Sequence, residues 1–145
     1  APPRPAPEPP DDARPPGERL GLPAAGPGSV AGWGRRVLGI AVDWALASLV
    51  ANAFLGEVLG RQAGPLVVFA VVHLVLVGTT GFTPGHLVAG VVVRGIDPAG
   101  RLGAVGVLRS AVRAVLLCLV IPAVVYDGDR RGLHDRAAGT VVLRR

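Results

Sequence analysis

The sequence predicts a mainly α-helical integral membrane protein: a two-span transmembrane helical hairpin, a re-entrant or interfacial third helix and a small cytoplasmic β-hairpin. Three observations predict it. Half of the 145 residues are hydrophobic and only 17% are charged, against about a quarter in soluble domains. The apolar residues gather into runs long enough to cross a bilayer. The 15 basic residues are all arginine, and the resulting net charge of +5 sits between apolar runs, a placement that suits a membrane better than nucleic acid. With a single cysteine, the chain has neither a disulfide framework nor a cysteine-based zinc site. Cys118 reads as a small buried apolar residue.

Residues 1–34 form a cytoplasmic tail expected to be disordered. Ten of the 14 prolines lie in the first 28 residues, which leaves too little apolar surface to offset chain entropy. No signal-peptide pattern opens it. Residues 35–145 form the membrane domain. Val37–Gly56 supplies twenty residues with one charge, Asp43, and a helix of that length rises about 30 Å, the thickness of the hydrocarbon core. Ala63–Phe82 is the second span, with His73 as its one ionisable group. The connector Glu57–Gln62 is six residues long, short enough for a tight helical hairpin.

The third apolar segment, residues 107–126, differs. Only thirteen uncharged residues separate Arg113 from Asp127, and Pro122 interrupts them; a crossing needs roughly 17 to 20. A re-entrant or interfacial path also keeps Arg109, Arg113 and the later arginines on one side, as the positive-inside bias requires. Leu87–Arg94 is β-branched and Asp97-Pro98-Ala99-Gly100 is a turn sequence, so a short hairpin follows the second span, with Thr140–Leu143 available as a further strand. The N-terminal tail, the region from Thr83 to Arg113 and the C-terminus then all face the cytoplasm of a multi-pass protein in the plasma (inner) membrane.

Arg36 and Asp43, seven residues apart, share one stripe of the first helix. On a nearly opposite face Ala41, Ala45, Ser48 and Asn52 form a small-residue seam for helix packing. If the seam packs on the second span, Asp43 turns toward the third segment or another subunit, where Arg109 and Arg113 are the cations. If Asp43 faces the second span, its partner is His73. An ionisable group at membrane depth is costly to desolvate and marks a functional site by default. Thr83-Pro84-Gly85 is a helix-breaking exit from the second span. His134-Asp135 lacks a nucleophile and a pocket, so no enzyme is expected, and no metal or cofactor set is evident.

Taken together, Arg36 with Asp43, the Thr83-Pro84-Gly85 turn, and Leu133-His134-Asp135 followed by Ala138-Gly139-Thr140-Val141 resemble the RDD family of small membrane proteins, named for one arginine and two aspartates. The opening Gly17-Glu18-Arg19-Leu20-Gly21-Leu22-Pro23 with Val42-Asp43-Trp44 is similar to a short actinobacterial branch. The resemblance puts Arg36, Asp43 and Asp135 at the signature positions and implies a membrane and a site, transport of unknown ligands or cation/proton exchange being suggested for some members of the family; His73, Arg109, Arg113, Thr83, Pro84, Gly85 and His134 are the supporting residues of the expected site. His86 stands where the family usually has a Lys or Arg. A chain this small must oligomerise to transport, so the expected partners are lipid, a second copy or another membrane protein, and a proton or small cation. Nucleic acid is not expected. The alternative is an accessory or assembly subunit of another membrane complex.

Overall fold

A computed structural model describes residues 15–119 and 133–145. The chain is mainly helical, with one long apolar helix and a three-stranded antiparallel sheet. Extended Gly32 releases it into α1, Trp33–Val50, which continues through a π-helical segment, Ala51–Leu55, into α2, Gly56–Val72. The 29-residue stretch Trp33–Arg61 is long and apolar enough to cross a membrane; Ala63–Val77 is a shorter apolar helix. The expected connector, Glu57–Gln62, is itself largely helical. The chain bends at Leu55 and reverses at Gly60, whose φ of 74° and ψ of 158° leave the helical region, a conformation that favours glycine. Pro65 follows within the next turn, where its missing N–H costs little.

A second π-helical segment, His73–Val77, ends the return helix. The Ser110 hydroxyl donates to the carbonyls of His73 (2.8 Å) and Leu74 (3.0 Å), the latter also accepting the Gly78 N–H, so the irregular turn gains a donor from outside the helix. Gly81, at φ 82°, then turns the chain into α3, Pro84–Ala89. Leu87–Ala89, expected in a strand, belong to this helix because Thr83 caps it and Pro84 fits its first turn.

The sheet has β1, Val91–Ile96, at its centre, flanked by β2, Leu102–Gly103, and β3, Thr140–Arg144. Val93 stands opposite Val142 and Gly95 opposite both Thr140 and Gly103. The Asp97–Gly100 turn between β1 and β2 is tied by Gly100 N–H to Asp97 C=O and by Arg101 N–H to the Asp97 carboxylate, at 2.9 and 2.7 Å. Residues 15–32, expected within the tail, run back over this sheet: Ala31 N–H donates to Val142 C=O at 2.8 Å, and the Ala31 side chain is buried. Val77, Ala89, Val91, Val93, Val105 and Val142 close a core beneath the sheet, while Ala47, Phe69 and Leu117 form a second one between helices.

α4, Val107–Cys118, buries Ser110, Arg113, Ala114 and Leu117, the i, i+3, i+4, i+7 stripe of an amphipathic helix. The rest of the third apolar segment, Pro122 included, lies outside the described residues. Cys118 is half-buried at the helix end. A short helix α5, Leu133–Ala137, leads into β3. Polarity is arranged inside out: Arg36, Asp43, His73, His86, Arg113 and Asp135 are buried, whereas Leu49, Phe54, Val58 and Leu108 are at least 66% exposed.

Candidate functional site

Two carboxylates organise the polar interior, and each sits where three elements meet. The buried stripe of α1 is Arg36, Gly39, Asp43 and Ala47. A guanidinium and a carboxylate must find hydrogen-bond partners to be buried, so the face that carries them packs inward. The expected seam faces the other way: Ala41, Ala45 and Asn52 are exposed and Ser48 is half-buried. Small residues at Gly39, Ala47 and Ala51 do the close packing instead. Gly39 lies against Gly85, His86 and Ala89, and Ala51 against Gly64.

Asp43 faces the second helix, not the arginines. One carboxylate oxygen accepts the Gly85 N–H at 2.8 Å and the other accepts the Thr83 hydroxyl. These bonds use the start of α3, where backbone N–H groups have no helical partner. Thr83 and His86 complete a reciprocal cap: Thr83 Oγ1 accepts the His86 N–H and His86 Nδ1 accepts the Thr83 N–H, both at 3.2 Å. Gly85 is required by contact, because a Cβ there would collide with the Gly39 carbonyl and the Asp43 carboxyl. Pro84 is exposed at the first helical position.

His73 enters from the second π-helical segment. Its Nδ1–H donates to the Phe69 carbonyl at 3.1 Å, and its Nε2 lies 3.6 Å from the Asp43 carboxylate with no hydrogen-bond partner among the described residues. Phe69 stacks over the imidazole with ring centroids 4.1 Å apart, and Trp44 meets Phe69 edge-on. The His86 ring stands edge-on to His73 at 5.8 Å. Burial, and after it the positive charge of Arg113, hold His86 well below the usual imidazole range, so it is neutral at physiological pH.

Asp135 is the second centre. It is fully buried and pairs with Arg36 Nη1 at 2.5 Å and with Arg113. His134 Nε2 lies 3.4 Å from it, and Thr140 Oγ1 sits over the Asp135 carbonyl at 3.3 Å. Arg36 also donates to the Ala31 carbonyl at 3.0 Å, fixing the start of α1 against the sheet. Arg109 reaches neither carboxylate: its guanidinium caps the carbonyls of Ile96 (2.8 Å) and Gly139 (3.4 Å). Arg36 and Asp43 thus share a stripe and serve different partners.

Among the described residues the buried formal charges are Arg36, Arg113, Asp43 and Asp135, two of each sign, so the interior is electrically balanced. The grouping of Asp43, His73 and His86, with ligand-capable atoms all within 4.8 Å of one another, went unseen in the sequence. These residues lie 30 and 13 positions apart, and no local spacing links them. Ser110 gave no signal at all. Gly39 and Ala47, four residues either side of Asp43, were a signal of close packing that the competing seam obscured. Comparison of the chain with protein-family models, with curated proteins and with solved structures finds no match.

Proposed function

We propose that this chain is a small polytopic membrane protein of the RDD type, working as an oligomer in proton or cation exchange with Asp43 at the exchange site. The observation that carries the reading is the inside-out distribution of polarity. Eleven of the described residues with relative exposure of 6% or less are charged, imidazole or hydroxyl side chains, among them Asp43 and Asp135, while α1, the π-helical segment after it, α2 and α4 turn Leu, Val, Phe and Trp outward. In water such a surface would aggregate; in lipid it is the expected one. In this reading the helical run through α1 and the return helix form the two-span hairpin. The arginines other than Arg61 and both termini lie on the cytoplasmic side of the inner membrane, with α4 opening a re-entrant or interfacial segment.

Asp43 is suited to the task because it is held in place without a fixed countercharge. Thr83 and Gly85 orient it, and the basic groups against it among the described residues are the imidazoles of His73 and His86. Arg36, Arg113 and Asp135 form the adjoining network, whose single excess positive charge is matched by the Asp43 carboxylate. The test is proton and sodium flux in proteoliposomes of the pure protein, with wild type and Asp43→Asn at matched insertion. Exchange that disappears in the variant supports the reading; equal flux in both sinks it.

A second reading is favoured by the exposed stripe of Ala41, Ala45 and Asn52. Small residues facing outward suit close approach of a helix from another chain, as an accessory or assembly subunit would need. Ala45→Leu abolishing co-purification of a membrane partner, with no flux from the pure protein, would support it over exchange.

A further inference from the structure

Asp43, His73 and His86 come from three separate elements, are each at most 4% exposed, and bring ligand-capable atoms within 4.8 Å of one another. The geometry at His73 is the informative part. Its Nδ1 donates to the Phe69 carbonyl, so the neutral ring carries its proton there and Nε2 presents a bare lone pair. Among the described residues that lone pair has no hydrogen-bond partner, and it stands 3.6 Å from Asp43 Oδ2. Two acceptors therefore confront each other inside the protein.

The spacing is too long for a shared hydrogen bond. It is close to the edge of a tetrahedral zinc site, about 3.3 Å for ligands about 2.0 to 2.1 Å from the ion. An imidazole whose second nitrogen is anchored on a backbone carbonyl is also the usual arrangement of a metal-ligating histidine. Asp43 is prepared in the same sense: one hydrogen bond to each oxygen fixes the carboxylate, from Gly85 and from Thr83, and leaves lone pairs free. Ser110 steadies the π-helical segment that carries His73.

We propose that Asp43, His73 and His86 form a three-ligand site for a first-row divalent transition-metal ion of the zinc or cobalt class. This rests on the reading of Asp43 as the cation site and names the class of cation. Two imidazoles and one carboxylate select such ions over sodium, magnesium or calcium, which take oxygen ligands. Asp43 and His73 supply the preformed pair. His86 joins through Nε2 by moving its ring proton to Nδ1, which gives up the acceptor now used by the Thr83 N–H. The tautomer shift conserves the proton count of the ring. Arg36 and Arg113 nearby oppose an added positive charge, so the ion is held loosely enough to leave, with a fourth position for water or an incoming ligand.

The experiment titrates untagged protein in detergent with Co²⁺, reading the visible absorption of the bound ion, then adds Zn²⁺, Mg²⁺ or Na⁺ as competitors. Expected is one saturable Co²⁺ per chain, displaced by Zn²⁺ and by neither Mg²⁺ nor Na⁺. Affinity should fall at least about tenfold in His73→Gln and in His86→Gln and stay unchanged in His134→Gln. Wild type that develops no such band, or a band that His73→Gln leaves intact in a protein of unchanged helicity, overturns the site without reliance on any variant that fails to fold. Asp43-dependent sodium or proton flux without Co²⁺ binding overturns this inference and leaves the exchanger standing. Co²⁺ binding without flux of any ion does the reverse.

Discussion

At the scale of single residues, the two aspartates do different work. Asp135 neutralises Arg36 and Arg113, and removing one partner of a buried ionic cluster strands the others, at a cost of about 3 to 5 kcal/mol. Asp135→Ala is therefore expected to lower the thermal midpoint of the detergent-solubilised protein sharply, and an unchanged midpoint would mean that the network contributes little. Asp43 holds the Thr83-Pro84-Gly85 turn onto α1. Gly85→Ala should be far worse than an ordinary glycine replacement, because the added methyl meets the Gly39 backbone and the Asp43 carboxyl. Loss of folded, monodisperse protein is the expected readout, whereas Gly103→Ala, with open space around it, should purify normally. The resemblance led to Arg36, Asp43 and Asp135 as residues. Their pairing was not legible, because helical phase puts Arg36 and Asp43 on one stripe while the fold gives each a partner from a distant segment.

Elements sort the same way. The helices were legible from apolar run length, and the turn at Asp97–Gly100 from its residues. The inward face of α1 was not, since Gly39, Ala47 and Ala51 compete with Ala41, Ala45 and Ser48 as small-residue seams, and only the need to partner Asp43 and Arg36 decides between them. A paired substitution tests the choice. Ala47→Leu presses into Phe69 and Leu117 and should cost about 1 to 3 kcal/mol, while Ala45→Leu, exposed, should stay within about 0.5 kcal/mol; denaturation of both variants in detergent reads the contrast. The π-helical segments were equally hidden, because the carbonyl that Ser110 satisfies comes from 37 residues away. Ser110→Ala leaves the His73 carbonyl short of a donor, while that of Leu74 keeps the Gly78 N–H. The expected loss is about 1 to 3 kcal/mol, with faster amide exchange after His73 as the local signature; exchange matching wild type would argue that the hydroxyl is dispensable.

For the whole molecule, the sheet and the returning segment of residues 28–31 close over one end of the helices, and Arg36 ties that end together through Ala31 and Asp135. What remains outward on α1, α2 and α4 is mostly aliphatic and aromatic, Arg35, Glu57 and Arg61 being the exposed charges. Lipid can shield the polar interior only if that outer face lies within the bilayer. Trp33 and Trp44, both exposed on α1, are the only two tryptophans of the chain and report it directly. The decisive measurement is fluorescence of the Trp33→Phe variant in liposomes whose acyl chains are brominated at successive depths. Trp44 quenched most strongly by bromines within the hydrocarbon core, and shielded from a water-soluble quencher, is the result expected of a membrane-embedded α1. Quenching by the aqueous reagent alone would place this helix outside the bilayer and contradict the account.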